Sequence, residues 1–396
     1  MWPLAWIRQS RDPQRQQIGL DIFSQVTDTL VKSESLHKLL VTSSTLIDYL
    51  YVLAKKEVSD KIKDAMKVRP LSAEVDLCEF VPPIQAALSA SLVSGDSSRT
   101  RDIFPRHIPR MRAIDEIVGV MASKARPKKI RVYVVAADSI GQIRVGTRNC
   151  KVHDIGEIHF LLKQEVKGDL RKDARVQDLN NVINRIMSST DATANGVFSQ
   201  TRRLHLRTFC VTCLSEETGL LEWVPHTASL RSMIAKTYNP QADSIYGKRQ
   251  GKRITNFTDP QMRTKFENVC QAAFFVSGDL TKAAALFEKE CLSAYPPILY
   301  WWYVLQFPDP HAWYEARTRF ALSTAAWSAV GHVIGLGDRH SENILLDKTS
   351  GECVHVDFDW YVRPDRVFWL AVNELTSTVH PFYLQYFRQR FASTQA

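Results

Sequence analysis

The stretch GLGDRHSENILLDKTSGECVHVDFD (335–359) restricts this chain most. It sets Asp338, Arg339, His340, Glu342 and Asn343 between an apolar segment and two short runs, NILLD and ECVHVDF, joined by KTSG. Those runs and their turn predict a two-strand hairpin over 343–358. Asp338 and Asn343 stand five residues apart on its approach, and Asp357-Phe358-Asp359 closes it. An Asn and an Asp that converge from the two ends of one hairpin can share a divalent metal, while a separate carboxylate orients a hydroxyl. Phosphoryl transfer asks for that division, because it needs charge neutralisation and positioning more than covalent help. The plain alternative is a salt-bridged surface turn, and the coincidence of spacing, hairpin and DFD argues against it.

The rest of the chain predicts a β-rich segment between helical ones. Apolar residues near the 3.6 period, Ile18, Ile22, Val26, Leu30 and then Leu36, Leu39, Leu40, Leu46, Ile47, Leu50 and Leu53, predict a helical hairpin over 13–68. Its charged end KKEVSDKIKDAMKVRP (55–70) reads as a polar exit, and the Pro- and Ser-rich 81–102 as extended and loopy. Strand runs follow at 128–138, 143–152 and 157–163, with turn signals DSIGQ (138–142) and HDIG (153–156). A helix fits 169–187, with Leu170, Val176, Leu179, Val182, Ile183 and Ile186 on one face. Strands at 204–214 and 220–224 meet at SEETG (215–219). Beyond 226 the pattern is helical, broken at AYPPI (294–298) and FPDP (307–310).

Composition matters here mainly for what it excludes. Among 396 residues, 45% are hydrophobic and 23% charged, ordinary globular usage. No apolar run approaches the roughly 18 residues of a membrane span, and WPLAWI at the start lacks the basic n-region of a signal peptide. Seven cysteines, an odd and scattered set, point to a reducing compartment. Cys210 and Cys213 form a lone CxxC inside a strand and read as core packing. Trp301, Trp302, Trp313 and Trp327 read as core aromatics, and KRQGKR (248–253) as a solvated basic loop. The net charge of +9 allows an acidic partner without choosing one.

The order Asp338-Arg339-His340, with Asn343 and then Asp357-Phe358-Asp359, resembles the phosphatidylinositol 3-kinase-related protein kinases, and among them the ATR-type DNA-damage checkpoint kinases. The resemblance extends to MWPLAWIRQSRDPQRQ (1–16), similar to the end of the helical FAT region, RPKKI (126–130), DLRKDARVQDLN (169–180), LEWVPHTASLRSMI (221–234) and 307–347. It implies an α+β, two-lobed kinase-like fold behind a FAT-like segment. The implied boundaries are a helical FAT end at 1–68, a linker at 69–102, an N-lobe at 103–225 and an incomplete C-lobe at 226–396.

The resemblance also implies roles. Asp338 would be the catalytic carboxylate, and His340 would steady the transferring phosphoryl group. Asn343 and Asp357 would ligate Mg²⁺ or Mn²⁺, Trp223 and Val224 would line the adenine pocket of ATP, and Asp173 would join the acidic partners of the phosphate-binding lysine. That lysine depends on register. Ungapped alignment back from Asp169 offers Glu165, whose charge would repel phosphate, whereas a two-residue insertion in QEVKG (164–168) offers Lys163, which is favoured. Lys163 and Glu165 share a face of the extended chain. Either DSIGQ or HDIGE (153–157) could cover the phosphates.

Thirty-seven residues follow Asp359, and 360–396 do not resemble the family's activation loop, further helices and terminal FATC helix. A lobe ending there would expose more apolar surface than a monomer ordinarily does, so a truncated or altered C-terminus is expected. The implied activity is Ser/Thr phosphorylation of checkpoint proteins at Ser/Thr-Gln sites in the nucleus. A regulatory partner of the ATR-interacting type, DNA reached through partners and no membrane complete the expectation. A phosphoinositide kinase and an inactive pseudokinase or scaffold are the alternatives.

Overall fold

The computed structural model describes residues 2–59, 62, 64–71, 75, 77, 80–93, 108–123, 125–135, 155–165, 168–193, 204–238, 281, 284–285, 288–289 and 299–360. They fall into two compact units, Met1–Ile183 with Thr208–Pro225, and Asn184–Arg207 with His226–Ala396. No helix among the described residues is long and apolar enough to cross a membrane.

The first unit begins with helices α1 (Trp2–Arg8), α2 (Pro13–Leu30) and α3 (Glu34–Lys55). Asp12 caps α2 by accepting from Gln14 N at 3.0 Å, and Pro13 occupies the first turn, where its missing N–H costs nothing. Gly19 lets α1 approach closely, since a Cβ there would lie 2.8 Å from Ile7 Cγ2 and 2.9 Å from Arg8 N. The stripe read on α3 is the buried one: Leu40, Leu46, Ile47, Leu50 and Leu53 enter the core. On α2 the expected stripe is half-buried at Ile22, Val26 and Leu30 and opens at Ile18, which is 54% exposed.

The described strands of this unit form a seven-stranded antiparallel sheet. They are β1 (Ala65–Lys67), β2 (Arg110–Ile114), β3 (Ile117–Val120), β4 (Lys128–Val135), β5 (Ile155–Gln164), β6 (Val211–Cys213) and β7 (Thr218–Glu222). The order is β1-β3-β4-β5-β7-β6, with β2 also on β4. The longest ladder joins β4 to β5, from Lys128↔Leu162 to Val135↔Ile155. Alternation sends Ile130, Val132, Val134, Phe160 and Leu162 into one core with α3, and each such side chain contributes about 1.5–3 kcal/mol of burial. Buried Lys128 donates to Ala54 O (2.7 Å) in the last turn of α3, satisfying a carbonyl the helix leaves open. Burial, and then the charge of Lys56, hold its ammonium below the ordinary lysine range.

Three expectations change here. The exit at 55–70 contains β1, which pairs with β3. The extended reading of 81–102 gives way to helix α4 (Gln85–Val93), an Ala- and Leu-rich run whose first amide donates to Glu222 Oε2 at 2.7 Å. The strand 204–214 shrinks to Val211–Cys213, because the backbone before it bonds to side chains of α5 (Arg171–Thr193) instead of to a neighbouring strand. Gln177 Oε1 accepts from Phe209 N (3.3 Å) and Asn184 bonds both the amide (2.8 Å) and the carbonyl (2.7 Å) of Leu206, while Asn181 Oδ1 accepts from the Thr208 side-chain hydroxyl (3.0 Å).

The inward face of α5 is therefore partly polar, although Val176, and Leu170 just before the helix, are buried as expected. Asp173, Gln177 and Asn180 are buried beside Val176, while Leu179, Val182 and Ile186 of the expected apolar face are 36%, 49% and 59% exposed. The strand 143–152, DSIGQ, His153-Asp154 of HDIGE, KRQGKR, AYPPI and 361–396 lie outside the described residues.

The second unit holds a three-stranded antiparallel sheet of β8 (Thr227–Ser229), β10 (Ile344–Asp347) and β11 (Cys353–His355) in the order β11-β10-β8. Besides the end of α5, its described residues include helices α6 (Leu230–Tyr238), α7 (Leu299–Gln306) and α8 (Pro310–Ile334). The FPDP break becomes the start of α8, where Asp309 accepts from Ala312 N at 2.8 Å. The hairpin turn is built on Asp347, whose carboxylate accepts from Thr349 N (2.7 Å), Ser350 N (3.1 Å) and Arg207. Burial pushes that carboxyl up, and the bonds from Thr349, Arg207 and Ser350 outweigh it, leaving it below the usual range. Gly351, at φ 75°, sits against α8, where a Cβ would meet Ala316 at 2.8 Å. Trp302 and Trp327 are buried; Trp301 and Trp313 are half-buried.

Asn184→Leu should orphan both backbone groups of buried Leu206. The expected loss is about 2 kcal/mol or more, since each buried unpaired group costs roughly 1–3 kcal/mol. An unchanged urea midpoint would contradict this account of the segment.

Candidate active site

In the second unit α8 ends at Gly335, whose φ of 64° stops the helix with its amide on the carbonyls of Gly331 and His332. Strand β9 (Leu336–Gly337) follows and pairs with β12 (Asp359–Trp360), placing the DRH loop and the DFD side by side. Asp338 lies between them at φ 56°, with its side chain 41% exposed. Asn343 is buried and donates Nδ2 to Asp338 O (3.0 Å) and Oδ2 (3.2 Å). Glu342 N donates to His340 Nδ1 (3.2 Å), so the neutral ring carries its proton on Nε2, the nitrogen 3.8 Å from Asp338 Oδ1. Asn343 O accepts from Val356 N at 3.0 Å, which brings the segment of Asp357 beside that of Asn343.

Asp357 also has φ 56°. A non-glycine residue in this region costs about 1 kcal/mol or more, and Asp tolerates it better than most. Charge-assisted hydrogen bonds from Arg339 hold the backbone there: Nε donates to Gly337 O (2.8 Å), Nη1 to Val356 O (2.9 Å) and Nη2 to Asp357 O. Beneath the loop, Trp327 stacks on His355 (4.5 Å between centroids, 6° between planes) and on Phe358 (6.0 Å).

The first unit carries the other expected residues. Lys163 is next to last in β5, opposite Gly219 of β7, with its side chain 12% exposed. Its Nζ lies 2.5 Å from Glu165 Oε1, the same-face pairing the extended register predicts. Glu165 N continues the strand bonding, donating to Glu217 O at 2.7 Å. Asp169 starts α5 by accepting from Arg171 N (3.0 Å) and pairs with the Arg171 guanidinium, which, with the backbone bond, holds its carboxyl low. Asp173 lies buried in the first turn of α5. Trp223 N donates to His159 O (3.0 Å), Lys129 Nζ stands 4.0 Å from the Trp223 ring centroid, and Val224 is buried. Burial, and secondly Arg131, lower the Lys129 pKa; burial, then Lys129 and Arg131, lower that of His159.

Asp338, His340, Asn343 and the Asp357 segment are thus drawn together within the second unit, while Lys163, Asp173, Trp223 and Val224 belong to the first. Burial pushes the Cys210 and Cys213 thiols up to about 12, so the pair packs as neutral side chains. Among the described residues no three His, Cys, Asp or Glu side chains cluster around a common metal position. One carboxylate and one amide oxygen, Asp357 and Asn343, are a hard-oxygen donor set that fits Mg²⁺ or Mn²⁺ completed by phosphate oxygens and water. The sequence reading missed the work of Arg339 and the packing of Lys129 on Trp223. The first stood inside the DRH motif; the second follows only from the register of β4.

His355 is buried, and its Nδ1 has no hydrogen-bond partner. Burial, and then the charge of Arg339, hold its pKa well below the ordinary value. Below about pH 6.5 the unfolded chain takes up a proton that the folded chain refuses, so stability falls with pH by up to about 1.4 kcal/mol per unit. It levels off only below the folded-state value. His355→Phe should flatten that slope in urea midpoints measured between pH 7.5 and 5; an unchanged slope would move its origin elsewhere.

A family model for phosphatidylinositol 3- and 4-kinase matches residues 158–366. Serine/threonine-protein kinase ATR of Arabidopsis thaliana is 31% identical over 366 residues, which is 90% of this chain and 12% of the relative. Protein kinase rad3 of Schizosaccharomyces pombe is 31% identical over 360 residues, 89% of this chain and 13% of the relative. The chain therefore spans about one eighth of the length of these relatives. Among solved structures, the FAT and kinase domain of CtTel1 matches 87% of this chain and 21% of its own, at TM-score 0.59 and 21% identity. The complete CtTel1 dimer matches 90% of this chain and 12% of its own, at TM-score 0.62 and 20% identity. The α+β architecture is that kinase fold, and the match over more than half its residues establishes that the chain belongs to the phosphatidylinositol 3- and 4-kinase family.

Proposed function

We propose that this chain is the kinase portion of an ATR-type Ser/Thr protein kinase that transfers the γ-phosphoryl of ATP to Ser/Thr-Gln sites of checkpoint proteins. The observation that carries the reading is the second unit's loop, in which Asn343 bonds Asp338 and its backbone meets that of Asp357. Similarity to ATR and rad3 across nine-tenths of the chain supports a protein rather than a lipid acceptor. On this reading the helices before β1 are the end of a FAT region, the first unit's sheet with α5 is the N-lobe, and the second unit is the C-lobe. Because β1 at 65–67 pairs into the sheet, the N-lobe reaches back before residue 103.

Asp338 accepts a hydrogen bond from the attacking hydroxyl and orients it; its exposure leaves it open to a protein side chain. His340 presents Nε2–H to the oxygens of the transferring group. Asn343 and Asp357 hold a divalent metal, Mg²⁺ or Mn²⁺, which supplies neutralisation of phosphate charge. Lys163 binds phosphate, with Asp173 among its acidic partners, and Trp223 and Val224 line the adenine pocket. Glu165 competes with phosphate for Lys163, which departs from the family pattern. A nuclear location, a regulatory partner of the ATR-interacting type, and DNA reached through that partner complete the reading.

With Mg²⁺ or Mn²⁺ and ATP, the chain should phosphorylate a Gln-containing Ser/Thr peptide and leave phosphoinositide vesicles unmodified; the reverse result would favour a lipid kinase. Asp338→Ala and Asp357→Ala should each lower peptide phosphorylation about a thousandfold, and activity kept by either refutes the site. Lys163→Met should weaken ATP binding and Glu165→Gln should strengthen it severalfold. Wild-type ATP affinity in both would take Lys163 out of the phosphate site, and no metal-dependent ATP affinity in the wild type would favour a pseudokinase.

A further inference from the structure

The proposed reaction assigns work to Asp338 and His340 and none to the arginine between them. Yet Arg339 reaches backbone on both sides of the loop. Its Nε donates to Gly337 O (2.8 Å), its Nη1 to Val356 O (2.9 Å) and its Nη2 to Asp357 O. Val356 O belongs to the peptide plane that enters the Asp357 Cα, and Asp357 O to the plane that leaves it. A peptide unit is rigid, so fixing the direction of its carbonyl largely fixes its plane. With both planes fixed, φ and ψ of Asp357 have nowhere to go, and φ is held at 56°. The third acceptor, Gly337 O, belongs to the plane that enters Asp338, the other aspartate at φ 56°. The guanidinium also lies 5.4 Å from the Phe358 ring centroid, over the side chain that follows Asp357.

We infer that Arg339 is a positioning residue: it sets the backbone angles of Asp357, and with them the direction of the metal-binding carboxylate. The inference rests on the reading of Asn343 and Asp357 as metal ligands. What matters is the planar fork more than the positive charge. Three carbonyls from two separate chain segments are met by three different nitrogens of one rigid plane, whereas a lysine offers all its donors from a single atom. Lysine at 339 would keep the charge near Asp357 and lose the simultaneous hold on its two flanking peptides. Outer partners of this kind, which touch no metal themselves, commonly govern metal affinity by about 10- to 100-fold.

The test is Mn²⁺ uptake by the full chain with a non-hydrolysable ATP analogue, read by electron paramagnetic resonance, beside analogue affinity without metal. Arg339→Lys should weaken Mn²⁺ uptake about tenfold or more, with metal-free analogue affinity changed less than about twofold. Circular dichroism confirms that the variants compared are folded. Arg339→Ala should lose Mn²⁺ uptake and regain a good part of it in millimolar methylguanidinium but not in equal methylammonium; this variant decides the matter should Arg339→Lys not fold. Wild-type Mn²⁺ affinity in Arg339→Lys, or equal rescue of Arg339→Ala by the two cations, overturns the positioning role alone. A wild-type chain with no analogue-dependent Mn²⁺ uptake overturns the metal reading beneath it.

Discussion

Two aspartates at φ 56°, Asp338 and Asp357, sit on adjacent antiparallel segments, and the geometry of the loop between them depends on keeping both in that conformation. Neither is at a relaxed backbone angle, so neither would stay there without surroundings that over-determine it. The β9–β12 pairing, the bond from Val356 N to Asn343 O and the Arg339 fork supply that over-determination from three directions. Underneath, Trp327 stacks on both His355 and Phe358, forming a floor whose middle is the indole and whose one flank is an imidazole kept neutral by burial. The polar side chains above are directed by backbone, and the backbone is held by an apolar base and one cation.

The chain leading into β6 meets a different problem. Residues 206–209 run beside α5 before the bonding to β7 begins at Cys210, so their amides and carbonyls need acceptors and donors from elsewhere. Gln177 and Asn184 provide them, and Asn181 between them accepts from the Thr208 hydroxyl. That requirement turns the inward face of α5 partly polar and leaves Leu179, Val182 and Ile186 facing outward. Glu222 does similar double duty, accepting from Gln85 N at the start of α4 and from Cys210 N.

Where local chemistry decides structure, the sequence was readable. Asp309-Pro310 starts α8, the SEETG turn joins β6 to β7, and the KTSG hairpin closes on Asp347. The loop from Asp338 to Asp357 was readable for the same reason, since its spacing is enforced over twenty residues of continuous chain. Reading failed where partners distant in sequence set the outcome. Hydrophobic periodicity placed Val176 of α5, and Leu170 just before it, inside correctly but also Leu179, Val182 and Ile186, which are exposed, because it cannot see that a strand-like neighbour lacks a ladder. The β1 segment looked like a polar helix end because its pairing with β3 lies some fifty residues away. Helix α4 was hidden by the Pro and Ser around it, and its anchoring carboxylate, Glu222, is 137 residues distant.

The ion pair of Lys163 with Glu165 changes what it means for an anion to arrive at that lysine. An ammonium already neutralised by its own chain does not adsorb an anion; it exchanges one. Ion exchange selects by valence, because a newcomer must offer more than the single negative charge it displaces. Chloride, acetate or a monoester near its second ionisation would gain little by the trade. A polyphosphate, with several charges crowded on adjoining oxygens, would gain much, so a residue of repelling sign can act as a filter against the small anions that crowd any cell.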